Sequence, residues 1–351
     1  MGATLLLDVG AGTLDMLWTD GADWFKAVGP SPSRILARVI ESTPGNLAVG
    51  GREMGGGAVS RALEQRATGG RVVMSIQAAA TIHHSPDRVK AKGIEVVTPE
   101  QLDATADGPG FTKLRLGDIQ PERLEQVFGL WEIPFEFERV GVCLQDHGRP
   151  PRGRSHLDFR NSWMVERLES NPHPASLAWR SKDLPEHLSR MRAAAADAAL
   201  LPAGAVYVMD SGMAAVLGGW REAQRQGASE ALVVDVATSH TVAAVMGTDG
   251  LVGFFELHTK DLDVEQFDRL VEELVAGRIS HSAVVERGGH GAWCRGPAGR
   301  IDRWLLVGPK RHLLAGSRHD FEFAAPLGDN MLAGCAGLLE AMDLLEGKED
   351  G

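Results

Sequence analysis

The chain has 351 residues, 44% of them hydrophobic and 24% charged, the proportions of a globular protein long enough for two domains of ordinary size. A net charge of −11 excludes a surface built to coat nucleic acid, which needs a basic face, but leaves room for a local pocket that takes a phosphorylated small molecule. Cys143, Cys294 and Cys335 form no CxxC pair and no disulfide framework, and no apolar run reaches the roughly 18 residues of a membrane span, so the expected setting is cytoplasmic with no membrane contact. Asp8 interrupts the first apolar run and no basic leader precedes it, so that run does not read as a signal peptide.

The opening residues read as a β-hairpin: Leu5-Leu6-Leu7-Asp8-Val9 enters a turn at Gly10-Ala11-Gly12, and Thr13 to Trp18 leaves it. Gly10 and Gly12 carry no Cβ, so backbone N–H groups there can approach a phosphate. Asp8 at the strand end can hold a hydrated Mg²⁺, and Thr13 can hydrogen-bond a phosphate oxygen. The plainer reading is an ordinary glycine turn with a chance acid. Helical spacing follows over Ser33 to Ser42, then a strand at Leu47 to Gly51 running into the glycine-rich stretch 50–57, a helix from Ala58 to Arg66 and a strand from Val72 to Ile76. No Gly-Lys-Ser/Thr closes that glycine-rich loop, so it is not a Walker loop; it offers mobility, close packing or a phosphate cradle. His83 and His84 fall in a helix-like stretch over 77–92, where neighbouring side chains diverge and a metal site is not expected.

Further strands are expected at Ile94 to Val97 and Val140 to Gly148, with a helix opening at Pro121 between them. Gln145, Asp146 and His147 sit at a strand end, where binding groups collect in α/β folds, and are candidates for the substrate side; a polar strand-ending turn is the alternative. Residues 149–160 read as a Pro- and Arg-rich loop able to meet an anion or acidic neighbours. A Pro-rich connection (171–187) and an Ala-rich helix (Leu188 to Leu200) lead to a strand, Ala205 to Met209, and a helix of small residues from Met213 to Gly219. Leu232 to Met246 repeats the opening design: apolar strand, Asp235, a hydroxyl-bearing turn with Thr238 and Thr241, apolar strand. A further strand (Leu251 to Phe255), two helices around Asp263 to Ala276, a glycine-rich turn that exposes His290, a strand into the turn Gly308-Pro309-Lys310 and a last amphipathic helix with a polar tail complete the chain.

Two such turns can face each other across a cleft and clamp the phosphates of one nucleotide, with Asp8 and Asp235 sharing a Mg²⁺ through water. The chain resembles the actin, sugar-kinase and heat-shock-chaperone ATPase superfamily, with its local motifs in the expected order: Asp8 to Thr13, Asp210 to Gly219, Asp235 to Thr241, Leu306 to Pro309 and Asp329 to Leu339. The resemblance implies an α/β fold of two actin-like (ribonuclease-H-like) halves with mixed sheets around a central cleft. Residues 1–203 would form a first half with insertions, 204–328 a second, and 329–351 a helix closing back on the first. It implies ATP and Mg²⁺ as ligands, Asp8, Asp210 and Asp235 as catalytic residues (Asp210 positioning water or acting as base), Asp8 and Asp235 on the metal, and Gly10, Gly12, Thr13, Thr238, Thr241, Gly308 and Lys310 on the nucleotide. Gln145, Asp146, His147 and His290 are left for a small-molecule or protein substrate. Ala237 and Pro309 stand where the superfamily usually has glycines. The methyl group of Ala237 crowds a phosphate, and Pro309 removes an N–H.

More closely, the whole chain resembles a prokaryotic family labelled as pyruvate formate-lyase activating enzyme. That label implies a radical enzyme with three clustered cysteines, which Cys143, Cys294 and Cys335 do not supply, so no Fe–S cluster is expected. Superfamily members also act as ATP-driven activators of reductases, some with a cluster at a dimer interface, which keeps a homodimer and Cys335 in view; a buried structural cysteine is the plainer reading. Three functions therefore compete: a Mg-dependent ATPase or phosphotransferase, a non-catalytic binding or activator module with a degenerate nucleotide site, and a metal-dependent hydrolase using His83, His84, His147 and His290.

Overall fold

In the computed structural model, which describes residues 2–347, the apolar opening run becomes the centre of a sheet; the polar tail that ends the chain, and with it the end of segment 329–351, lies outside the described residues. The strands in chain order are β1 (Thr4–Val9), β2 (Thr13–Thr19), β3 (Trp24–Pro30), β4 (Asn46–Gly51), β5 (Val72–Ser75), β6 (Glu95–Val97), β7 (Phe111–Leu116), β8 (Phe137–Leu144), β9 (Ala178–Arg180) and β10 (Ala203–Asp210), followed by β11 (Glu230–Val236), β12 (His240–Gly247), β13 (Gly250–His258), β14 (Gly291–Cys294), β15 (Arg303–Val307) and β16 (Glu322–Phe323). Leu5, Leu6 and Leu7 are fully buried, as expected for a strand covered on both faces, and each contributes roughly 1.5–3 kcal/mol of burial.

Two sheets share one design. The first has the order β3-β2-β1-β8-β10-β9 and the second β14-β13-β12-β11-β15-β16. In each, a central strand pairs antiparallel with the next strand of its hairpin and parallel with a later one: β1 with β2 and β8, β11 with β12 and β15. This is the actin-like, ribonuclease-H-like architecture in both halves, with mixed sheets. A third, wholly parallel sheet, β6-β5-β4-β7, is inserted between β3 and β8.

Several local expectations change. The 77–92 stretch is two short helices, Ile76–Ala79 and Pro86–Lys90, and His83 and His84 lie in the loop between them. The expected loop 149–160 ends inside a helix, His156–Ser170, started by Ser155, whose side chain accepts the Asp158 amide. Around 263–276 there is one helix, Val264–Val275, and the next, His281–Glu286, lies beyond it. The capped helix Pro99–Ala106 and β7 complete the inserted layer, where short, half-exposed segments carry little periodicity. Among the described residues no helix is long and apolar enough to cross a membrane.

Two helices bind the halves from behind. Asp210 caps the central helix, Ser211–Arg225, by accepting the Met213 amide at 3.2 Å. The closing helix, Ala333–Leu345, packs on it along small residues: a Cβ on Gly218 would sit 2.1 Å from the Ala333 carbonyl oxygen, and one on Gly337 only 1.9 Å from that of Ala214. Neither site has a flexible side chain to move aside, so the backbones themselves would have to part. Gly337→Ala is therefore expected to destabilise the protein by about 3 kcal/mol, the upper end of overpacking. Gly129→Ala, at a helical position where a Cβ meets nothing, is expected to be neutral or stabilising by up to ~1 kcal/mol. Denaturant unfolding of the two variants checks both values.

Candidate functional site

The two hairpins point their turns into one cavity of about 1110 Å³. Asp8, Gly10, Gly12 and Thr13 line it from the first sheet, Asp235, Thr238, Gly308 and Lys310 from the second. The turns touch: a Cβ on Gly12 would lie 2.5 Å from the Thr238 hydroxyl, so only glycine allows this approach. Gly308 has φ of +86° and lies against the Asp235 carboxylate. Ser211 and Gly212, at the N-terminus of the central helix, add a wall whose dipole favours an anion. The inserted layer supplies the opposite wall through Glu53 to Ala58 and Thr81 to His84. Its glycine-rich loop is fixed there by Asp118, which accepts the Gly55 amide at 3.1 Å and pairs with Arg190 at 2.7 Å.

Asp15 is a member that sequence reading missed. Hairpin register sets it directly across from Asp8, and this pairing across the glycine turn was the available signal. Burial, with added repulsion from Asp15, Asp235 and Asp210, pushes the Asp8 carboxyl well above the usual range. Burial also raises Asp15 to about 7, partly offset by the Thr13 hydroxyl, and raises Asp235 to about 7 with a contribution from Asp15. Asp15 Oδ1 is buried and has no hydrogen-bond partner within the chain. A set of mutually repelling carboxylates with an orphaned oxygen suits a hard, oxygen-bound cation such as Mg²⁺, which keeps part of its hydration shell.

Three expected site residues lie off the cavity wall. Thr241 is fully buried; its hydroxyl meets that of Thr259 at 3.0 Å, and Thr259 donates to the Ala237 carbonyl, so Thr241 braces the second turn from behind. Asp210 is fully buried, with one oxygen on the Met213 amide and the other on Arg160 Nη1 at 2.9 Å. His290, expected to be exposed, is only 6% exposed: its amide donates to the Glu256 carbonyl at 2.8 Å and its ring packs edge-on against His240 and His258. Among the substrate-side candidates, Asp146 lines the cavity but spends both carboxylate oxygens on the amides of Gly148 and Met191. Gln145 donates to Glu256, and His147 faces the cavity.

His147 has company that no local spacing announces. His240 begins β12, pairs in register with His258 at the end of β13, and its Nε2 lies 3.2 Å from that of His290. Ring nitrogens of His147, His240 and His290 all fall within 4.8 Å of one another, and the His258 ring centroid is 4.0 Å from that of His290. Burial drives His147 down to about 3 and His290 down to about 4, so both are neutral near pH 7. Glu256 lies close by; against the cost of burial, Arg160 and the histidines hold it down at about 2. Arg160 itself, expected in a loop that meets an anion or acidic neighbours, is 3% exposed and bridges two acidic residues, Asp210 and Glu256. Cys143 and Cys335 are buried, with burial raising both thiols, and Cys294 belongs to β14 of the other sheet. The three therefore do not converge into a cluster-binding set, and the residues do not fit an Fe–S cluster.

Residues 54–313 match the family model described as "Putative pyruvate format-lyase activating enzyme (DUF1786)". The chain belongs to this family. The family match begins after the first hairpin and ends before the closing helix. No curated protein matches the chain. Solved structures similar to it include an uncharacterized protein from Pseudomonas aeruginosa with similarity to peptidase YEAZ (9% identity, 99% of this chain and 94% of that one, TM-score 0.31). Others are the inorganic polyphosphate/ATP-glucomannokinase from Arthrobacter sp. strain KM (15%, 99% and 100%, TM-score 0.35) and the PilM-PilN type IV pilus biogenesis complex (14%, 99% and 99%, TM-score 0.37). The fold assignment rests on the repeated strand order itself.

The raised carboxylates have a measurable consequence. A carboxyl near 3.8 when unfolded and about 7 when folded favours folding at low pH, and that stability is lost as pH rises through about 7. Asp235→Asn is thus expected to be more stable than the parent at about pH 8 by roughly 1–3 kcal/mol, the gain vanishing below about pH 4. Mg²⁺ should stabilise the parent at the higher pH and the variant much less. Denaturant unfolding with and without Mg²⁺ reads this; equal stabilities at about pH 8 would count against the raised carboxyl.

Proposed function

We infer that the protein binds a Mg²⁺-nucleotide, ATP in the simplest case, in the cleft between its actin-like halves and acts as an ATPase or small-molecule phosphotransferase. The observation that carries this reading is the face-to-face approach of the two hairpin turns, Gly12 against Thr238, with Asp8, Asp15 and Asp235 at their roots. Backbone amides of Ala11 and Gly12 at the tip of the first turn and the Thr13 and Thr238 hydroxyls bind the phosphates. Asp8, Asp15 and Asp235 hold the hydrated cation, which neutralises phosphate charge when bound. Gly308 and Lys310 flank the nucleotide on the second half, and the amides of Ser211 and Gly212 meet the phosphates from the helix end. Asp210, locked by Arg160, fixes that helix start and so positions the reacting groups. The side of the cavity bounded by Gln145 and His147 takes the second substrate or the attacking water.

Catalysis of this kind is positioning plus charge neutralisation. Asp8→Ala is expected to lower ATP turnover by ~100-fold or more while leaving circular dichroism and cooperative unfolding intact. Parent-level turnover in that variant would sink the assignment. A second reading, a binding or activator module without turnover, is favoured by one observation: Ala237 and Pro309 both lie in the cavity wall. Thermal shift separates the two. A nucleotide at about 100 times its Kd should stabilise the native state by about 2.7 kcal/mol. An absence of stabilisation by Mg²⁺-ATP, Mg²⁺-ADP or pyrophosphate leaves only the second reading. The placement of Cys143, Cys294 and Cys335 does not support the cluster-dependent chemistry that the pyruvate formate-lyase label implies.

A further inference from the structure

The geometry points to a second cation centre of different chemistry: His147, His240 and His290 together hold a divalent transition metal of the zinc class on the wall of the cleft. The three residues come from separate parts of the chain, the loop after β8, the start of β12 and the loop before β14, yet their ring nitrogens gather within 4.8 Å. Two nitrogens bound at the usual 2.0–2.1 Å from one tetrahedral Zn²⁺ lie about 3.3 Å apart. The His240 and His290 Nε2 atoms stand at 3.2 Å.

The Nε2 atoms of His240 and His290 share one hydrogen bond, at 3.2 Å, which a metal bound to both would replace. His290 Nδ1, buried with no partner in the chain, stays outside the ligand set. The electrostatics beside it suit a cation. Asp210, Arg160 and Glu256 form a buried triad of two carboxylates and one guanidinium, leaving a surplus negative charge close to the imidazoles. Glu256 cannot itself close the ligand set, because its oxygens are engaged by Arg160 and Gln145. Three imidazoles with no carboxylate ligand select zinc-like metals over Mg²⁺, which prefers oxygen.

His147, His240 and His258 line the cavity, so the metal's remaining position faces the cleft. Three histidines with an open position are the arrangement of a zinc site that takes water or an anionic oxygen rather than of a closed structural site. The class of ligand it receives is a carboxylate or phosphate oxygen of the second substrate, and His258 is placed to hydrogen-bond that group. Because His147 follows the first sheet and the other two belong to the second, the metal also ties the halves together.

The test uses the full chain stripped with EDTA and titrated with Co²⁺ followed by visible absorption, then with Zn²⁺ in competition. The parent is expected to take up one equivalent with the intense ligand-field bands of a four- or five-coordinate nitrogen site. His240→Ala and His290→Ala should each weaken binding on the order of 100-fold, and His83→Ala, outside the cluster, should not. Asp235→Asn should lose Mg²⁺-nucleotide binding yet keep Co²⁺ uptake, so failure of this centre and failure of the nucleotide reading give different results. No stoichiometric Co²⁺ or Zn²⁺ uptake by the parent, or parent-like uptake in both histidine variants, overturns the proposal. Should a variant fail to fold, the parent spectrum decides: weak six-coordinate bands overturn it as well.

Discussion

Arg160 stands where the two sheets meet, and the shape of the cleft depends on it. Its guanidinium donates to Asp210 at the end of β10 and to Glu256 in β13, with all three side chains at most 4% exposed. A buried ion is costly unless paired and hydrogen-bonded, and here every member is: Asp210 also accepts the Met213 amide and Glu256 also accepts from Gln145. Removing one partner of such a group typically costs about 3–5 kcal/mol because the remaining charges stay buried. The consequence is geometric. Asp210 sets the first turn of the central helix, whose Ser211 and Gly212 line the cavity, and Glu256 lies beside the histidine wall. One arginine thus aligns a wall from each half.

The cleft carries two contrasting electrostatic regions. At the hairpin roots, burial and mutual repulsion raise the pKa of Asp8, Asp15 and Asp235, so the carboxylates gain most from a hard divalent cation. At the histidine cluster, burial keeps His147 and His290 neutral. Oxygen donors gather at the hairpin roots and nitrogen donors at the histidine cluster, and the two donor sets favour metals of different softness. The helix end at Ser211 lines the same cavity and needs no metal to attract an anion.

What could be read in the sequence was local or repeated. The hairpins, the Asp8 and Asp235 echo and the small-residue helices follow from period, turn chemistry and spacing within short windows. Asp15 depended on where the turn falls: a hairpin that turns at Ala11-Gly12, with Gly10 facing Thr13, sets residue 15 across from residue 8, whereas a turn over Gly10 to Gly12 would set residue 14 there. The partners of Arg160 and the histidine cluster could not be read this way. The Pro- and Arg-rich stretch 149–160 reads as a loop that meets an anion or acidic neighbours, and Arg160 does meet acidic neighbours. That they are Asp210 and Glu256, far along the chain, and that they draw it inside, no local pattern tells. His147, His240 and His290 meet through the packing of three separate elements, which no spacing rule encodes. Thr241 shows the same limit: side-chain alternation from His240 sends its hydroxyl to Thr259, behind the turn it was expected to arm.

The two turns are closed in the same way. The Gly10 amide donates to the Thr13 carbonyl at 3.0 Å and the Ala237 amide to the His240 carbonyl at 3.1 Å, so neither is free for a phosphate, and Thr238 lines the cleft beside Ala11 and Gly12. Backbone donors for a phosphate therefore come from the turn tips in the cavity wall, Ala11 and Gly12 in the first and Thr238 and Ser239 in the second, and from the central helix end. The first hairpin lies before the family-matched segment, whereas His147, His240, His258 and His290 all lie inside it. The carboxylates and turn that bear on a nucleotide thus draw on both the hairpin and the matched region, and the histidine centre is a property the matched region carries alone. A change confined to the second turn would therefore leave the histidine-lined wall, and the Arg160 bridge between Asp210 and Glu256 beside it, untouched.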